Sequence, residues 1–125
     1  MTATMTTTLI KLQAAMPGTP EVDHPRPERL IEGNPRRETW NAVDEAVAGR
    51  VYAGVWRCEP GHWRIATGAN ERELFTVLAG RCRVHGDDGS VQHAGPGEAL
   101  WIPAGFRGSF EVLETLTKTY VIVAD

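Results

Sequence analysis

Lysine is nearly missing from this chain of 125 residues: only Lys11 and Lys118 occur, so arginine carries almost all of the positive charge. Acidic residues outnumber basic ones, 16 to 13, and the net charge is -3. A chain without a basic excess has little with which to neutralise phosphates, so nucleic acid is not an expected partner. No apolar run approaches the roughly 20 residues of a membrane-spanning helix, and no membrane association is expected. The opening stretch MTATMTTTLIKLQAAMPGTP lacks a basic leader, and Lys11 interrupts its apolar patch. It does not read as a secretory signal, and a cytoplasmic protein is expected. Cysteine is scarce as well. Cys58 and Cys82 form no Cys-x-x-Cys pair and read as reduced, packed thiols rather than a disulfide.

Glycine and proline, in contrast, are plentiful: 13 and 8 residues respectively. They punctuate the chain at short intervals, which favours many short strands over helices. The length suits one domain that buries roughly two-thirds of its unfolded surface and needs no metal or disulfide merely to fold. Residues 6–14 alternate, with Ile10, Leu12 and Ala14 on one side, as in a strand or an arm lying on a partner subunit. Residues 17–27 carry five of the prolines and glycines and read as an extended linker. The chain is therefore divided into an N-terminal arm, 1–25, and a domain, 26–125. Residues 41–49, NAVDEAVAG, read as one or two helical turns capped by Asn41 and stopped by Gly49. From Arg50 onward the strand signals are regular: RVYAGVWRC, HWRIAT, ELFTVLA, RCRVH, VQHA, ALWI, GSFEVLE and TKTYVIVA, separated by Gly- and Pro-containing turns. Strands at such intervals argue for a closed sandwich or barrel.

Two spacings carry more information. Glu73 is followed, after six residues, by Gly80, and Gly97 is followed, after five, by Pro103-Ala104-Gly105. These resemble the two sequence motifs of the cupins. The resemblance covers roughly residues 50–123 and implies an all-β fold, the RmlC-like double-stranded β-helix or jelly-roll barrel. Cupins hold one metal inside the barrel with a His-x-His pair, a glutamate and a later histidine. Of these positions only Glu73 is matched here. The pair falls on Thr67 and Ala69, or on Ala66 and Gly68, and the last ligand position is Gly108. One carboxylate does not hold a transition metal, which takes three or more protein ligands. No metal and no other cofactor is expected. The stretches GVWRCEPGHWRI, ELFTVLAGRCRV and PAGFRGSFEVLETLTKTYVI are similar to a narrower group of very small cupins. That group includes the cupin unit of (S)-ureidoglycine aminohydrolase and the ethanolamine-utilisation cupin. The aminohydrolase keeps metal ligands that this chain lacks, so its activity is not implied.

Alternation places Glu73, Phe75 and Val77 on the strand face that cupins turn inward. A buried carboxylate must be paired, hydrogen-bonded or protonated. Glu73 is thus read either as a ligand-binding or acid–base group or as half of an internal pair with Lys118, Arg64 or Arg107, with Tyr120 as a hydrogen-bonding alternative. The ligand-binding set expected around it is Glu73, Phe75, Trp101, Arg107, Lys118 and Tyr120; no catalytic residue is assigned. Trp56, Trp63 and Phe110 are candidates for lining the same pocket or for filling the barrel. Arg107 is expected to pair with Glu111 or Glu98. His24, His85 and His93 read as surface or turn residues, and only His62 is expected to reach a barrel mouth. The leading expectation is a protein that binds, or converts without the usual cupin metal, a small polar metabolite. The alternatives are a non-catalytic dimeric sensor and a metal enzyme with unusual ligands such as His62. A homodimer joined through the arm is expected, because exposed sheet edges need covering.

Overall fold

A computed structural model describes residues 7–46 and 49–125. Apart from a 3₁₀ turn at Pro27–Arg29, the regular structure among them is all strand. The strands are β1 (Glu21–Asp23), β2 (Leu30–Glu32), β3 (Arg37–Glu45), β4 (Arg50–Cys58), β5 (Gly61–Ala66), β6 (Glu71–Gly86), β7 (Val91–Ala94), β8 (Ala99–Ile102) and β9 (Arg107–Ala124). All pairings are antiparallel.

The long strand β9 is the spine. Along one edge it pairs with β6 over almost its whole length. Along the other it pairs first with β5 and then with β4. From there β3 and β1 extend the β4 side, β2 extends β5, and β7 and β8 share the far edge of β6. The sheet curls around a core in which Phe75, Val77, Cys82, Leu116 and Val112 are buried. Each such side chain contributes on the order of 1.5–3 kcal/mol by leaving water.

The barrel and its strands from Arg50 onward match the sequence reading, with two mergers. ELFTVLA and RCRVH are one strand, β6, and GSFEVLE and TKTYVIVA are one strand, β9. Gly80 makes the first merger possible. It takes φ +84° where the β6–β9 register shifts, and a Cβ there would lie 2.1 Å from the Thr115 carbonyl oxygen. The glycine that reads as a strand end is a bulge inside a longer strand.

The helix expected over 41–49 is not formed. Residues 41–45 belong to β3 and pair with β4, Asn41 opposite Gly54. Residues 47 and 48 lie outside the described residues. A sheet edge offered by β4 outweighs the modest helix preference of an Ala- and Glu-containing stretch. No strand forms over residues 7–14, and residue 6 lies outside the described residues. Residues 21–23 of the expected linker form β1, which zips onto β3. Cys58 and Cys82 are free and buried, as expected.

Candidate functional site

The inward face of β6 carries Glu73, Phe75 and Val77, as the alternation implies; Phe75 and Val77 are buried. Across the ladder, Val77 is opposite Lys118 and Phe75 opposite Tyr120 on β9. The sheet thereby brings the second of the chain's two lysines against Glu73. Lys118 Nζ donates to Glu73 Oε2 at 2.7 Å, with side-chain exposures of 7% and 18%. The ammonium also sits 4.5, 4.3 and 4.9 Å from the ring centroids of Trp56, Phe75 and Phe110. A carboxylate on one side and three electron-rich ring faces on the others replace the water that the cation gave up.

Beside the pair, the Tyr120 hydroxyl donates to Asn41 Oδ1 at 2.6 Å. Burial, aided by the negative charge of Glu73, pushes the phenol up to about 12, so it stays a neutral donor. Gly54 makes room for this contact. A Cβ there would lie 2.1 Å from the Trp40 carbonyl oxygen and 2.8 Å from the Tyr120 hydroxyl.

Glu73, Lys118 and Tyr120 line a cavity of about 640 Å³, with Trp56, Trp63 and Phe110 among its walls. Trp63 stacks on Phe110 at 5.4 Å, and Trp56 meets Phe110 edge-on at 5.7 Å. Arginines 26, 29, 37 and 64 also line the cavity. Arg37 is forked to Asp23 at 2.8 and 2.7 Å and lies over the Trp63 ring, and Arg64 reaches Asp87. Among the described residues, the side chains of Arg26 and Arg29 have no carboxylate partner.

The expected site set is therefore divided. Glu73, Lys118 and Tyr120 meet at the cavity. Phe75 lies beneath Lys118 as part of its cage and is fully buried. Trp101 pairs with outward-facing Leu74 on the far edge of β6, is 57% exposed, and does not line the cavity. Arg107 is exposed at the start of β9 and pairs with neither Glu111 nor Glu98. Glu111 is taken by Arg83 and His85, and Glu98 accepts from the Gly95 amide. Asn41 and the arginines at positions 26, 29 and 37 were not expected at the site. The helical pattern of residues 41–49 conceals Asn41, which the structure places in β3 opposite Gly54, and nothing in the local sequence ties those arginines to Glu73.

The absent ligand at Gly108 has a steric cause. Gly108 faces Ile65 on β5 and Gly86 on β6, and a Cβ there would lie 1.8 Å from the His85 carbonyl oxygen. A histidine does not fit this backbone. Thr67, a candidate position for the histidine pair, instead joins loops: its hydroxyl donates to the Pro103 carbonyl at 2.8 Å and accepts from the Phe106 amide at 2.7 Å. His62 is on the outer face of β5, opposite the inward Trp63, so it shares no site with Glu73. His85 is half-buried beside it rather than solvent-facing.

Comparison with known proteins agrees with this architecture. A family model described as the EutQ-like cupin domain matches residues 45–120. No curated protein matches the chain by sequence. Among solved structures, a protein of unknown function of the DUF861 family from Pseudomonas syringae is similar at TM-score 0.76 and 22% identity. The match covers 89% of this chain and 46% of that one, so the chain spans about half the length of that protein. The EutQ protein of Clostridium difficile is similar at TM-score 0.61 and 21% identity, over 78% of this chain and 76% of that one. A putative ethanolamine utilization protein from Salmonella typhimurium follows at TM-score 0.58 and 15% identity, covering 84% and 95%. At these identities the likeness is one of fold. No helix among the described residues is long and apolar enough to cross a membrane.

Proposed function

The chain belongs to the family of EutQ-like cupin domains, and on that premise we propose that it binds a small anionic metabolite inside the barrel, without a metal at the usual cupin position. The observation that carries this reading is an ion pair left open to a cavity. Glu73 keeps 18% of its side chain accessible at a cavity of about 640 Å³, so a ligand entering the cavity reaches the pair. That volume lies in the range of small-molecule sites, which combine apolar walls with a few converging polar groups.

The chemistry of the lining supports a ligand with an anionic end and a polar far end. Its carboxylate or phosphate meets Arg26 and Arg29, whose planar forks suit such groups. Its polar far end, a hydroxyl, carbonyl or amide, exchanges hydrogen bonds with Glu73, Lys118 and Tyr120. Its middle is flat or apolar and lies against Trp56 and Phe110. The carboxylate beside an ammonium also supplies a proton acceptor and a charge that stabilises a developing oxyanion. Slow proton-transfer chemistry on the bound ligand therefore belongs to the same reading. We also take the protein to be a cytoplasmic homodimer. The arm supports the dimer: Leu9 is 98% exposed and Ile10 is exposed, apolar side chains with little cover in one chain.

A thermal-shift screen of small metabolites tests the reading, because a ligand that binds only the folded state raises its melting temperature. Hits should be anions with a polar group at the opposite end. Arg29→Gln should weaken them about tenfold, or ~1.4 kcal/mol. The double substitution Glu73→Leu/Lys118→Met should remove binding. A set of hits dominated by cations, or hits that bind the double variant unchanged, would overturn it.

A further inference from the structure

We propose that the outer face of the barrel carries a divalent-metal site held by His62, His85 and Glu111, suited to zinc or a neighbouring late first-row ion. The three residues come from adjacent strands whose register is fixed by backbone ladders. His62 on β5 is opposite Glu111 on β9, and His85 on β6 is opposite Ser109 on β9. Alternation turns all of them away from the barrel interior, since Trp63, Val84 and Phe110 point inward. The site shares no ligand with the position at which cupins hold metal.

One ligand atom from each residue lies within 4.8 Å of the others. The His62 and His85 rings are 5.1 Å apart, and His85 Nε2 lies 2.9 Å from Glu111 Oε1. Bonds of ~2.0–2.2 Å to a common ion ask for a side-chain adjustment of about an ångström, not for movement of the strands. Two imidazoles and a carboxylate are a donor set that zinc takes, and imidazole also suits nickel and copper.

Burial pulls His62 below the ordinary histidine value. Burial alone would raise Glu111, but hydrogen bonds from His85 and Arg83 outweigh it and hold the carboxyl below its ordinary value. The surroundings orient the ligands. The Ser109 hydroxyl, on a buried residue, lies 2.7 Å from His62 Nε2, and Arg83 forks both oxygens of Glu111 at 2.9 and 3.2 Å. Such outer partners fix the rotamers of metal ligands.

Space remains for a further ligand. A recess of about 220 Å³ is lined by His62, Glu111, Gly61 and Glu32, and Glu32 is the cross-strand partner of His62. Water or the Glu32 carboxylate fills the fourth position. The metal replaces the hydrogen bond between His85 and Glu111 and leaves Arg83 on the remaining oxygen. Arg83 thus orients Glu111 but repels the ion, and its removal should strengthen binding.

The test uses the full chain, stripped with a chelator and titrated with zinc by calorimetry and with cobalt by visible absorption. The expected result is one ion per chain and the intense cobalt bands of a four-coordinate site. His62→Gln and His85→Gln should each weaken zinc at least tenfold, Arg83→Gln should tighten it, and His93→Gln should change nothing. Unfolding midpoints in excess chelator show whether each variant still folds. The cobalt spectrum and the Arg83→Gln titration decide the matter even where a ligand variant does not. Absence of saturable binding, or binding unchanged in both histidine variants, would overturn the site.

Discussion

On β5, Trp63 and Ile65 turn into the barrel while His62 stays outside; on β9, Phe110 turns in and Glu111 out; on β6, Val84 turns in and His85 out. The two faces of this sheet hold two different kinds of polar site, the inner one on β6, β9 and β3 and the outer one on β5, β6 and β9. Inside, Lys118 is caged by three rings and tied to one carboxylate. Outside, Arg83, His85, His62 and Ser109 surround Glu111 in a half-exposed network. A charge in the interior pair depends on one partner, and losing that partner costs stability. A charge in the wet network has substitutes, and the same loss there mainly changes what the network binds.

The largest effect is expected where the two faces press against each other. Gly108 belongs to the inward face, yet its missing side chain leaves room for the backbone carbonyl of His85. Restoring the cupin ligand as Gly108→His should therefore not build an interior metal site. It should cost more than ~4 kcal/mol or prevent folding, because backbone and not a movable side chain fills the space. Gly108→Ala should fail in the same way, which separates the steric cause from any effect of the imidazole. A wild-type denaturation midpoint for either variant would show that β6 and β9 can part there.

Next comes the interior pair. Glu73→Gln strands Lys118, and a loss of about 3 kcal/mol in urea denaturation is expected. This is the low end for a buried charge left alone, because the three rings still face the ammonium. Glu73→Leu/Lys118→Met removes both charges and should recover most of that stability. If instead the single variant matches wild type, the pair is wetter than its geometry implies, and the contrast between the two faces weakens.

The sequence made this pair visible only as one option among several. Alternation on β6 is enough to turn Glu73 inward, but its partner depends on the β6–β9 register across a separation of 45 residues. Local pattern says nothing about that register, so Lys118, Arg64 and Arg107 stood as equals. The outer cluster was still harder to see. His62, His85 and Glu111 are unremarkable in their own segments and meet only because β5, β9 and β6 lie side by side. Strands bounded by glycine and proline turns were legible because those residues act locally. Asn41 was misplaced for the opposite reason: its pairing with β4 is a tertiary choice that overrides local preference. Gly108 was legible as a departure from the cupin pattern, while the carbonyl that demands it belongs to another strand.

A smaller effect should follow the buried thiols. Burial pushes Cys58 up from 9.0 to about 12 and Cys82 from 9.0 to about 11. The folded chain keeps protons that the unfolded chain releases, so this contribution is complete below pH 9 and is lost as pH rises towards those values. One unit above the unfolded value, the loss is about 1.4 kcal/mol per thiol. Unfolding midpoints should therefore fall less between neutral and high pH in Cys58→Ala/Cys82→Ala than in wild type. Iodoacetamide should label the native protein far more slowly than the denatured one. Rapid native labelling would mean that the interior opens more readily than its packing implies.

The smallest effect on stability, with a clear effect on mass, is expected at the arm. Residues 7–14 form no strand, and Leu9 has almost no cover, so the arm adds little to the fold of its own chain. Its apolar side chains gain only against another surface, and a second copy supplies one at a fixed stoichiometry. Among the described residues, strand β1 is an outer strand of the sheet path and pairs with β3 alone, so an arm entering beside it can cover the edge of a neighbour. Deleting residues 1–14 should convert a dimer to a monomer by light scattering while leaving the monomer's unfolding free energy within about 0.5 kcal/mol, the usual range for changes away from packed or paired groups. The interior cavity should keep its ligand in that truncated protein, because none of the arm's residues 7–14 line it. A full-length chain that is monomeric at micromolar concentration would refute the dimer, and loss of ligand on truncation would mean that the arm closes the cavity rather than the interface.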